Sequence, residues 1–265
     1  MMVYLRTLRF GFLVGLGDFG AVLDWRFWLV TWGARVGAEA VFFSLLGKLI
    51  DSPDVLRFLV IGSMIGVGST SAFWASGFFT ADRWDGTYPL LVAAPASIIP
   101  PIVGRTSVWM LNGVASSLLA FAILRYVFNI AFPLTEALIA VPIILLTVAS
   151  AYSAALLLGG VMAPWPAAQN FIRTNVTTLL LAFSGVTVPI SFWPGPLEAV
   201  AQLLPLTHGL RAIRALLDDG ATTTVLNESG LQLLVGLGWL VVAMLLMDRI
   251  ADVGRANGTI DLVEG

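Results

Sequence analysis

Apolar residues run along this chain in long blocks, without the alternation of a half-buried strand or the single narrow stripe of a soluble helix. A bilayer core about 30 Å thick is crossed by roughly 20 apolar residues in a helix. Six stretches reach or approach that length, at 28–46, 56–79, 102–124, 137–160, 174–190 and 231–247. Turn-forming and charged residues separate them, as in Asp51-Ser52-Pro53-Asp54, the segment from Asn129 to Pro133, and Ala163-Pro164-Trp165-Pro166, which are the residue types expected at a membrane surface. An even number of crossings places both termini on one side. The pattern predicts an all-α polytopic membrane protein, a single domain over residues 1–265 with six transmembrane helices.

Two segments follow a different rhythm. In residues 1–24, Leu5, Leu8, Phe12, Leu16 and Phe19 recur at helical spacing with Arg6 and Arg9 off that line, and no small-residue cleavage site follows. An amphipathic helix lying in the membrane interface fits this better than a cleaved secretory leader. Residues 192–230 contain Pro194, Pro196 and Pro205, then a stripe of Leu206, Leu210, Ile213 and Leu217 with Arg211 and Arg214 turned elsewhere. Short helices that dip into the outer surface without crossing are expected there, between spans five and six.

Composition supports the membrane reading: 58% of the 265 residues are hydrophobic and 11% charged, against roughly 25% charged in soluble domains. A net charge of −2 gives no basic footprint for nucleic acid, and the absence of cysteine removes disulfides and thiolate zinc sites. With the termini inside, Arg6, Arg9, Arg26, Arg83, Arg105, Arg173, Arg249 and Arg255 lie at cytoplasmic ends, and Lys48, Arg57, Arg125, Arg211 and Arg214 at outer ends. That excess favours cytoplasmic termini in a bacterial inner membrane.

Candidate chemistry is sparse. The one lysine, Lys48, sits in Leu46-Gly47-Lys48-Leu49, which lacks the hydroxyl residue and glycine-rich turn of a P-loop; any ATP is used by another chain. His208 has no neighbouring His or Cys, so a helix-start polar contact is expected of it before a metal or triad role. Asp82 with Asp85 and Asp218 with Asp219 read as solvated helix ends, not as an enzyme's acid pair. Arg35 and Glu39 fall in the middle of the first stretch, four residues apart and so on one helix face. They are either a self-neutralising pair that eases insertion or a polar contact at a translocation path or subunit interface. A proton-coupled secondary transporter would carry more mid-membrane carboxylates and an internal repeat, and a lipid-processing enzyme would carry a polar cluster at one face; both remain as alternatives.

Two motifs carry a sharper reading. After the second stretch comes Asp82-Arg83-Trp84-Asp85-Gly86-Thr87-Tyr88-Pro89-Leu90-Leu91-Val92-Ala93-Ala94-Pro95, and later Ser184-Gly185-Val186-Thr187-Val188-Pro189 leads through Trp193-Pro194 to Leu204-Pro205-Leu206-Thr207-His208-Gly209-Leu210-Arg211-Ala212-Ile213-Arg214. In order and position these resemble the type-2 ATP-binding-cassette exporter permeases, the ABC-2 family. The resemblance implies a permease that binds no cofactor itself, paired with a second permease copy or a related permease and with separate ATPase subunits that hold ATP and magnesium. It implies that residues 80–100 form a cytoplasmic coupling loop in which Asp82, Arg83, Trp84, Asp85, Gly86 and Thr87 meet the ATPase, with Trp84 as the apolar anchor. It also implies that Arg35 and Glu39 lie near the path or the dimer interface, and that Pro205, Leu206, Thr207, His208, Arg211 and Arg214 belong to an outer re-entrant motif. The implied cargo is an amphipathic drug, antibiotic or lipid-linked compound. Trp84 and Pro89 depart from the family's usual residues, so the coupling helix is expected to be short or to begin at Pro89.

Overall fold

The computed structural model describes residues 2–22, 24–94, 96–127, 134–218 and 221–257. Among the described residues every regular element is helical. In chain order these are α1 (Met2–Val22), α2 (Trp25–Ile50), α3 (Pro53–Phe73), α4 (Phe78–Trp84), α5 (Tyr88–Ala93), α6 (Ile99–Val127), α7 (Leu134–Met162), α8 (Gln169–Phe183), α9 (Gly195–Ala201), α10 (Thr207–Leu217) and α11 (Thr222–Asn257). Pro95, the separator from Asn129 to Pro133, Asp219 and the side chains of Lys48, Trp84 and Arg125 lie outside the described residues.

Among the described residues four helical stretches are long and apolar enough to cross a membrane: Pro53–Arg83, Ile99–Ile123, Thr135–Met162 and Thr222–Val253. The first of them joins α3 to α4 through a 3-10 turn at Trp74–Gly77. Its start is set locally. Asp51 takes a positive φ of 54°, the Ser52 hydroxyl accepts the Val55 N–H at 3.4 Å, and Pro53 and Asp54 occupy the first turn, where a missing N–H and a negative charge are both favourable. The other two predicted crossings fall on α2 and α8. At 1.5 Å per residue α2 is about 39 Å long, but it carries Arg35 and Glu39 at its centre. α8 is about 22 Å long and stops at Phe183 instead of running on to 190, because Gly185 turns the chain at a φ of 89°.

α3 is the central pillar: 83% of its apolar window is buried against other helices, compared with 17% for α11, which lies at the periphery. α3 reaches α6 through small residues. A Cβ at Gly68 would stand 2.5 Å from the Gly113 carbonyl oxygen, and the Ser117 hydroxyl donates to the Met64 carbonyl at 3.0 Å. Close backbone approach of this kind is how helices pack where lipid removes the hydrophobic drive between them.

α1 lies along α6 in the same way. A Cβ at Gly11 would come 2.7 Å from the Pro101 carbonyl, and Gly15 is pressed against the Arg105 backbone. Leu8, Phe12 and Phe19 are partly covered while Leu5 and Leu16 of the predicted stripe stay exposed. The contact face follows the glycines, which a hydropathy pattern does not count.

Candidate functional site

The segment expected to be a single coupling loop has three parts. Asp82 and Arg83 end the long helix as part of α4, Gly86 turns the chain at a φ of 67°, and α5 starts afresh with Pro89 in its first turn. This places the members of the motif differently. Asp85, Gly86 and Thr87 are exposed at the tip, whereas the Asp82 carboxylate is buried, 4% exposed. It forms an ion pair with Arg105 of α6 and accepts the Thr87 hydroxyl at 3.1 Å. Arg105 also holds Asp18 of α1 at 2.6 Å and stands 5.2 Å from the Phe78 ring centre. One guanidinium thus joins α1, α4 and α6.

A cleft of about 580 Å³ opens between α2, α3 and α8. Arg35 and Glu39 line it as an ion pair at 3.1 Å, each about one-third exposed. Hydroxyls face it from α3 (Ser63, Thr70) and α8 (Thr174, Thr177, Thr178), with Phe42, Leu181 and Val186 as apolar wall. Arg173 borders it with its guanidinium 4.0 Å from the Trp74 ring centre.

The 192–230 segment contains α9 and α10, and its polar residues tie α10 to three neighbours. His208 lies in the first turn of α10 with Nδ1 2.6 Å from Glu228 Oε2 and Nε2 3.0 Å from the Gln202 carbonyl. The Gly209 N–H donates to Gln232 Oε1 at 2.7 Å, and Gln232 Nε2 donates to the Pro205 carbonyl at 2.7 Å. Arg211 donates to Gln202 Oε1 at 2.7 Å, and the Thr207 hydroxyl donates to the Ala201 carbonyl at 2.6 Å, while Leu206 is fully buried. On the opposite side Arg214 lies 3.6 Å over the Phe58 ring and donates to the Phe58 and Gly185 carbonyls at 3.2 and 2.8 Å. Burial pushes the Arg214 guanidinium down to about 10, and the nearby Asp218 carboxylate opposes that shift. Asp218 itself pairs with Arg57 at 2.8 Å.

Several of these partners were invisible in the motifs. Asp18, Arg105, Glu228 and Gln232 lie far in sequence from the residues they hold, and their one advance signal was that each is polar within or beside an apolar run. Among the described residues no three His, Cys, Asp or Glu side chains gather as a metal site requires.

A family model described as ABC-2 type transporter matches residues 20–217. The matched stretch runs from the end of α1 through α10, so it contains the Asp82 segment, the cleft and the motif at α10. No curated protein matches the chain.

Proposed function

The chain belongs to the ABC-2 type transporter family, and from that premise we propose that it is the membrane subunit of an exporter powered by a separate ATPase. The cargo is an amphipathic drug, antibiotic or lipid-linked compound, moved across the bacterial cytoplasmic membrane. The observation that carries this reading is the family match over 20–217.

In the proposed arrangement α2, the α3–α4 rod, α6, α7, α8 and α11 are the six crossings, α1 rides in the inner interface, and α9 and α10 are outer re-entrant helices. Both termini are cytoplasmic. Four of the crossings have the length and apolarity required; α2 has the length and neutralises its own mid-helix charge through Arg35 and Glu39. The exposed Asp85, Gly86 and Thr87 and the short α5 are the ATPase-docking face. Asp82 positions that face from inside, and Arg83 and Trp84 flank it. A second permease copy or a related permease packs along α2 and α8, so that the cleft with Arg35 and Glu39 opens on the path between them.

The test is purification of the tagged chain from its native membrane. A soluble ATPase is expected to co-purify, and the chain alone is expected to hydrolyse no ATP. Robust ATP turnover by the isolated chain would overturn the proposal.

A further inference from the structure

The cleft between α2, α3 and α8 holds one charge that the described residues leave unanswered. Arg35 is neutralised by Glu39 at 3.1 Å. Arg173 has no such partner: it lies against the Trp74 ring at 4.0 Å, donates from Nη2 to the Asn170 amide oxygen at 2.9 Å, and pairs with no carboxylate among the described residues. A guanidinium carries five N–H donors in a fixed fork. With its face on an indole and one donor engaged, the remaining edge is free to grip an oxyanion.

The walls are graded along the length of the cleft. Thr174 and Thr177 follow Arg173 on α8, and Thr70 faces them from α3; beyond lie Leu181 and Val186, which crowd Gly66 closely enough that a Cβ there would stand 3.4 and 3.2 Å from them. The end at Arg173 therefore holds a cation with the Thr174 and Thr177 hydroxyls, and Leu181 and Val186 form an apolar stretch beyond it, with Ser63, Thr187 and the mutually neutralised Arg35–Glu39 pair also in the lining. At about 580 Å³ the space suits a drug-sized molecule and is far too large for a bare inorganic anion.

We infer that this cleft binds an amphipathic anion, a phosphate or carboxylate head on an apolar tail, with the head on Arg173 and the tail toward Leu181 and Val186. A cationic amphipath would meet like charge at Arg173, and a neutral one would cover the guanidinium without answering it. The role of this anion as cargo rests on the permease reading; its binding does not.

Purified full-length chain in phosphatidylcholine nanodiscs is titrated calorimetrically with dodecyl phosphate, laurate, dodecyltrimethylammonium and inorganic phosphate, with empty nanodiscs as the blank. Dodecyl phosphate and laurate are expected to bind saturably, the cation and inorganic phosphate not. Arg173→Gln should weaken the two anions at least about tenfold, the loss of a charge-assisted hydrogen bond, whereas Arg173→Lys, which keeps the charge but not the stacked fork, should weaken them by less than Arg173→Gln does. Thr177→Val, which leaves the charge in place, should weaken them by a smaller factor. Doping the nanodiscs with phosphatidylglycerol separates the two sources of such an anion: competition marks a membrane lipid as the occupant, and its absence a free amphipath. Equal binding of the cation, saturation by inorganic phosphate alone, or unchanged affinity in a folded Arg173→Gln protein would overturn the inference. Because the assay contains no ATPase, its failure leaves co-purification of an ATPase as an independent measure of the permease reading.

Discussion

Arg105 shows how a single side chain can join distant parts of the chain. Its guanidinium holds the Asp82 carboxylate, which is buried, and the half-covered Asp18. Replacing it with methionine leaves a buried carboxylate uncompensated, a loss expected to cost about 3–5 kcal/mol, so Arg105→Met should lower the thermal unfolding midpoint of the purified chain sharply. Asp82→Asn keeps the hydrogen-bonding shape and should cost less, and the double variant Arg105→Met, Asp82→Asn should recover part of the loss, since the stranded charge is gone. At Glu39 the contrast runs between an isosteric replacement and a truncation. Glu39→Gln preserves an acceptor for Arg35, which lies 3.1 Å away, whereas Glu39→Ala strands a guanidinium inside α2, a proposed span; membrane expression and the proposed export should therefore fall further in the alanine variant. Equal, wild-type behaviour of the two would show the pair to be idle.

At the level of whole helices, glycine decides which faces meet. In α1 a Cβ at Gly15 would collide with the Arg105 backbone, while at Gly17 it would meet nothing within 4 Å. Gly15→Leu should therefore strip α1 from α6 and expose it to limited proteolysis. Gly17→Ala should be tolerated, or stabilise by about 0.5–1 kcal/mol through the helix preference of alanine. The helical class, the α3–α4, α6, α7 and α11 stretches and the turn chemistry at Ser52 and Pro53 were legible in the sequence because hydropathy and capping are local properties. The Asp18–Arg105–Asp82 junction was not, since its members come from three helices and no periodicity joins them. Nor was the inward turn of Asp82. A carboxylate beside Arg83 and Asp85 reads as exposed until the helix through Trp84 fixes which way each one faces.

For the whole molecule, the exposed tip and the buried Asp82 are different parts of the proposed docking face. Charge reversal at Asp85, on the exposed tip, should weaken recovery of the ATPase and slow export while leaving membrane insertion intact. Unchanged recovery and unchanged export would remove Asp85 from the docking face. At the other end of α3, α10 is fastened to α11 by His208, Gly209 and Gln232 and to α3 by Arg214, so α10 is braced from two sides by contacts that the sequence motif alone did not reveal.

The meeting of α1, α4 and α6 at Arg105 makes that point a truss joint, in which three struts share one pin. A truss does not let one strut be displaced alone, so a thrust delivered to the tip beyond Asp82 is divided at once between a helix of the bundle and the helix proposed to ride in the interface. Spin labels on α1 and α4 should keep a single separation through the ATP cycle of the proposed exporter. With Arg105 replaced by methionine, the pin is removed and the separation should broaden into a distribution.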